Sequence, residues 1–230
     1  MWRYPVKSAQ GELVLASRVT GLGLDWDRQR AVVDLTTALP LTARREPNLL
    51  LLSAAVVDGR VRVATPAGDA LANDDDLSAW LGRPVRLTPP PDTRPRYEYP
   101  LDNEDESGPW STWSGPAGVW HDSTRTRVSI MSTASLRDWP SRRFRPNVVV
   151  DGAGEDELVG RRIAIGTVVL DVAKRIDRCV IVTRPQPGGI DRDLTVLRTV
   201  ARDHGGFLGV GAVVVTSGEI HAGDEVQPLP

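Results

Sequence analysis

Glycine and proline interrupt this chain so often that no long uniform element can form. There are 21 glycines and 18 prolines among 230 residues, and turn signals recur about every ten residues. The runs between them are short, apolar and β-branched. RAVVDL (30–35), NVVV (147–150) and CVIVT (179–183) each read as a strand. LLLLSAAVVDGRVRVATP (49–66) reads as a hairpin. Its Asp58-Gly59 pair suits a two-residue turn that needs positive φ twice, and RVRVA alternates polar and apolar residues with period two. IAIGTVVLDVAK (163–174) reads as a second hairpin about Gly166, and VGAVVVTSG as a closing strand.

Three segments read as short helices. NDDDLSAWLG (73–82) has acidic residues at its start and Gly82 at its end. A short helix is expected over about 134–139. DLTVLRTVARDHGG (193–206) places Leu194, Leu197, Val200 and Ala201 on one face, with Gly205 as its cap. The stretch 88–110, rich in Pro, Asp and Glu, has no apolar periodicity and reads as a linker or long surface loop. Its acidic run DNEDE (102–106) reads as solvated. No βαβ alternation is visible. The fold class is mainly β (α+β), barrel-like, with a few short helices.

Several functions are disfavoured at once. A net charge of -2 offers no bulk attraction to nucleic acid or an anionic membrane. No apolar run approaches the roughly 18 residues of a membrane span, and no secretory leader is visible after Met1. One cysteine cannot form an internal disulfide, so a reducing, cytoplasmic setting is expected. Dinucleotide, P-loop and HExxH patterns are absent. The three histidines, His121, His204 and His221, lack zinc-ligand spacing, although a pair of Cys179 with His121 or His204 stays open.

What remains is a set of polar residues beside strands: Lys7 and Ser8, Arg28, Thr42 and Arg44, the HDSTRTR cluster (121–127), and Arg145 and Asn147 around Pro146. Arginines with hydroxyls suit a phosphate or other oxyanion. Cys179 stands between Arg178 and a strand-like run. By itself it reads equally as buried packing or as a thiolate favoured by neighbouring cations.

YPVKSAQG, GLGLDWDR, LTARREPNLLLL, SIMSTASL, RFRPNVVVDG, EDELVG, RCVIVTRPQPGGID, VLRTVAR and IHAGDEV occur in that order. In this the chain resembles the MOSC family, named for the C-terminal domain of molybdenum cofactor sulfurases. It looks most like the branch with the mitochondrial amidoxime-reducing component and its bacterial relatives. The resemblance implies an N-terminal MOSC β-barrel module over 1–90, the acidic linker over 91–110 and a MOSC β-barrel domain over 111–230. It also implies a molybdenum cofactor (Mo-molybdopterin). In that branch the cysteine of the RC motif is the protein ligand to molybdenum, which carries onto Cys179 as metal ligand and catalytic residue. Cofactor contacts carry onto Lys7, Ser8, Arg28, Arg145, Asn147 and Arg178. Two hydroxyls after an aspartate carry onto Ser123 and Thr124. Thr126 is the alternative match, because extra residues precede SIMS.

The implied function is a molybdenum-dependent oxidoreductase that reduces N-hydroxylated or similar N-oxygenated small molecules. Its partners would be the small-molecule substrate and a separate electron-donating reductase, since no flavin or haem motif is present. The alternatives are a non-redox cofactor carrier, a sulfur-handling protein that passes a persulfide through Cys179, or a metal-free MOSC domain in a biosynthetic pathway.

Overall fold

A computed structural model of the chain describes residues 1–102 and 106–230. Strands dominate, as the punctuation predicts. The largest sheet has six strands in the order Val148–Val150, Val128–Ser132, Phe207–Thr216, Val168–Asp177, Arg162–Ile165 and Val226–Pro228. All pairs are antiparallel except the first. Period-two burial drives it: Val168, Leu170 and Val172 point inward from one strand, and Ile163 and Ile165 from its neighbour. They pack with Val128, Ile130, Val210 and Ala212 in one apolar core.

A second core gathers Val6, Val32, Leu49, Leu52, Leu77, Leu81 and Val85 from the N-terminal part. The Ser53–Val57 and Arg60–Ala64 strands pair across Asp58-Gly59, both at positive φ, as the sequence predicts. The helix Asp74–Leu81 is capped by the Asn73 side chain and ends at left-handed Gly82. The two parts of the chain interlock. Ala16–Thr20 pairs with Gly218–His221 near the other terminus, and the Trp2 N–H donates to the Asn147 carbonyl at 2.7 Å.

Some expectations are corrected. CVIVT is not a strand: Val180–Thr183 is a 3-10 turn entered from extended Cys179. Sheet pairing stops at Asp177, the Thr183 hydroxyl donates to the Val180 carbonyl at 2.8 Å, and tertiary context overrides β propensity. One parallel pair exists, Val128–Ser132 with Val148–Val150, joined through the short helix Thr133–Leu136. That helix ends early, at Arg137, which takes positive φ. In the helix Leu194–His204 the buried face carries Val196 and Val200, while Leu194 and Ala201 face outward. The 88–110 stretch is not all loop, because Arg96–Pro100 forms a hairpin with Trp110–Ser114. Of the acidic run, 103–105 lie outside the described residues; Glu106 pairs with Arg184. No helix among the described residues is long and apolar enough to cross a membrane.

The Val168–Asp177 strand carries three register shifts against its partner. Bulges bend and twist a strand and re-aim the residues at its end, here Arg178 and Cys179. The facing strand helps with Gly209, at φ 75°, where an added Cβ would stand 2.5 Å from Met131 Cγ and 2.8 Å from the Ile130 carbonyl oxygen. Gly209→Ala is therefore expected to cost about 2 kcal/mol through positive φ and overpacking, lowering Tm by about 4–8 °C. A wild-type melting curve for that variant would refute the account.

Candidate functional site

Where the two parts meet, a cavity of about 390 Å³ opens. Cys179, a free and half-buried thiol, lies on its wall together with Ser8, Arg28, Ser123, Arg145 and Arg178. Tyr4 organises the cationic side. Its ring is fully buried, with the Arg145 guanidinium 4.3 Å and the Arg28 guanidinium 5.3 Å from its centroid. The Tyr4 N–H donates to Asp27 Oδ1 at 2.8 Å, its carbonyl accepts from the Arg28 N–H at 2.7 Å, and its hydroxyl donates to the Pro146 carbonyl at 3.3 Å. Through backbone and side chain together, this one residue ties its own segment to those around Asp27–Arg28 and Pro146.

Ser8, Arg28 and Arg145 share a second property. Each has a left-handed backbone, with φ of 68°, 52° and 56°. Such non-glycine residues are uncommon and concentrate where a site over-determines the backbone. The Ser8 hydroxyl is held as acceptor from the Ala43 N–H at 3.0 Å.

The cations fall into two groups. Lys7 is buried and pairs with Asp122, and Arg28 pairs with Asp27. Burial pushes the Lys7 ammonium down, with Asp122 opposing. Burial alone would raise the Asp122 carboxyl, but Lys7 outweighs it and holds it at about 2. Arg145 and Arg178 have no carboxylate partner among the described residues. Arg145 bonds the Ala9 carbonyl, and Arg178 donates to the Phe144 and Leu208 carbonyls, each at 2.8 Å. Burial pushes both guanidiniums down to about 10, with Arg28 adding repulsion at Arg145. Half-buried cations without counter-charge are costly, so this wall suits an anionic group. His121, Tyr97 and Thr42 also line the cavity, and their Nε2, Oη and Oγ1 atoms are enclosed without partners among the described residues. A thiol beside unpaired cations fits a phosphate-bearing cofactor with a thiophilic metal.

Not every residue expected at the site is there. Lys7 stands behind Asp122, close enough for Arg28 and Arg145 to repel its charge. Thr124 is exposed and off the wall, whereas Thr126 is buried and on it. Asn147 is fully buried and also off the wall. Its Oδ1 accepts from the Ser129 N–H and hydroxyl at 3.1 and 3.0 Å, and its Nδ2 donates to the Trp2 carbonyl at 3.4 Å. With those bonds made, it holds a strand that lines the cavity. Sequence reasoning missed Tyr4, Tyr97 and Trp113; it had His121 as a possible partner of Cys179 and Asp122 within the HDSTRTR cluster. The alternation in RYEYP, followed by aromatic WSTWS, was a usable hairpin signal; Tyr4 had none.

A two-part, mainly β framework closes here on a thiol and two guanidiniums without carboxylate partners among the described residues, which defines a class of two-module β proteins. The chain belongs to the MOSC family: the MOSC domain matches residues 119–227 and the MOSC N-terminal beta barrel domain residues 1–83. The molybdenum cofactor sulfurase of Drosophila grimshawi is 26% identical over 246 residues, covering 92% of this chain but 31% of that protein. The chain therefore spans under a third of that relative's length. Among solved structures, the YUAD protein from Bacillus subtilis aligns over 99% of this chain and 92% of its own, at 14% identity and TM-score 0.48. YiiM from Geobacillus stearothermophilus aligns over 62% and 76%, at 17% identity and TM-score 0.36.

Asp122→Asn tests the electrostatics, because it strands Lys7 in its buried position. A cost of about 1–3 kcal/mol at neutral pH is expected, below that of a fully enclosed pair because Asp122 faces the open cavity. Lys7 has a lowered folded pKa, so the unfolded chain binds more protons between its folded and ordinary values, and stability rises with pH there. The deficit of the variant should shrink as pH approaches the ordinary lysine range. Denaturant unfolding at two pH values checks this; a deficit that does not change with pH would disprove the role of Lys7.

Proposed function

We propose that this chain is a molybdenum-cofactor-binding oxidoreductase that removes oxygen from N-hydroxylated small molecules. The observation that carries the reading is the position of Cys179 beside Arg178 and on one wall with Arg145, two cations without carboxylate partners among the described residues. Membership of the MOSC family supports it.

In this reading Cys179 Sγ is the protein ligand to the metal. Arg145 and Arg178 face the anionic cofactor, Arg28 adds charge from the same wall and Lys7 from behind it, each of these two held by its own carboxylate. Ser8, Ser123 and Thr126 offer hydroxyls on the wall. When bound, the cofactor would supply two-electron exchange at molybdenum. Two electrons and two protons convert an N–OH to N–H and water. The electrons come from a separate reductase, and a reducing cytoplasm would keep the single thiol available.

A second reading, a cofactor carrier or persulfide-handling protein, is favoured by the name of the sulfurase relative. Two measurements separate them. Protein made in a host with an intact cofactor pathway should hold molybdenum near one per chain, and Cys179→Ser should lose most of it while keeping its fold. Near-stoichiometric metal and full turnover in that variant would end the ligand role. Iodoacetamide should label Cys179 quickly without cofactor and slowly with it, because a committed sulfur cannot attack. A persulfide carrier keeps its sulfur accessible when loaded, so equal rates in both states overturn the oxidoreductase reading.

A further inference from the structure

The strands Arg96–Pro100 and Trp110–Ser114 lie between the two matched domain ranges, 1–83 and 119–227. They nevertheless build one wall of the cavity. Tyr97 is paired in register with Trp113, and Tyr99 comes two residues later, so strand alternation puts all three on one face. All three line the cavity. Trp113 stacks on Tyr97 with centroids 5.0 Å apart and planes 27° apart. Tyr97 is braced from the side by Trp120, edge-on at 6.2 Å. Gly115 makes room for this ring: an added Cβ there would stand 2.2 Å from it. The aromatic wall is therefore rigidly backed.

Two polar atoms on this side are unsatisfied. The Tyr97 hydroxyl and His121 Nε2 have no partner among the described residues, although the residues are only 1% and 8% exposed. The Ser123 N–H donates to His121 Nδ1 at 3.2 Å, which places the neutral ring's proton on Nε2. Burial, aided by Arg28, pushes this imidazole well below its ordinary value, so it is uncharged at neutral pH. Both groups are neutral and their polar atoms are enclosed by protein, so what this hairpin presents to the cavity is ring surface. Stacked rings backed in this way suit a flat aromatic ring.

We propose that this hairpin is the specificity wall of the cavity: Trp113 and Tyr99 take a planar aromatic ring of the substrate. The proposal rests on the oxidoreductase reading above and names its substrate class.

The test uses the cofactor-loaded full chain and two probes of equal carbon count, N-phenylhydroxylamine, which is planar, and N-cyclohexylhydroxylamine, which is not. Binding is measured by calorimetry without reductant. The phenyl compound is expected to bind about fivefold to tenfold more tightly. Trp113→Ala should bring the two within about twofold by weakening only the phenyl compound. If Trp113→Ala does not fold, Tyr99→Ala, at a 39% exposed position, serves instead, with a partial loss of preference expected. An unchanged preference in folded Trp113 and Tyr99 variants overturns the wall, as does failure of wild type to bind either probe. Turnover with reduced methyl viologen is scored separately. Reduction of neither probe, with the ring preference intact, removes the oxidoreductase reading and leaves the wall standing.

Discussion

The Tyr4 ring between two guanidiniums is the contact on which this site depends. It holds Arg28 and Arg145, which are 117 positions apart in the chain (145 minus 28), at one place. The Tyr4 backbone is bonded to Asp27 and Arg28 and its hydroxyl to the Pro146 carbonyl, so the residue is fixed at both ends. Like-charged guanidiniums repel, and burial pushes Arg145 down further. An aromatic face is one of the few apolar surfaces that attracts a cation, which allows both to stay charged and close.

The division of the cations has a functional meaning. Arg28 and Lys7 have carboxylates of their own, and they add positive potential at modest cost. Arg145 and Arg178 are held by carbonyl oxygens, which orient a guanidinium without cancelling its charge. A site arranged in this way is preorganised for an anion, because the unfavourable part of assembling the cations is met during folding. The left-handed backbones of Ser8, Arg28 and Arg145 belong to the same arrangement: local conformational cost is carried where three segments lock together.

The cavity has two faces of different origin. The segments matched by the family domains bring the thiol and the arginines, whereas the hairpin between them brings the aromatic rings. One face suits charge and the other suits a flat apolar surface. A pocket divided this way can hold a charged cofactor part and an uncharged substrate ring side by side without competition between them.

The order of motifs, the turn residues and the period-two runs determined the fold class, the hairpin at Asp58-Gly59, the helix end at Gly82, and the candidacy of Cys179. These are local features, legible because turn chemistry and side-chain alternation act over a few residues. Tertiary structure decided the rest. CVIVT has every property of a strand, yet becomes a 3-10 turn because its neighbouring strand ends at Asp177. Thr124 and Thr126 are equivalent as letters, and only the packing of Thr126 against Gly211 puts one inside. Asn147 carries the right chemistry, but Ser129 and Trp2 use it. Which polar group is free to meet a ligand depends on which others have already found partners, and those partners lie up to 145 residues away.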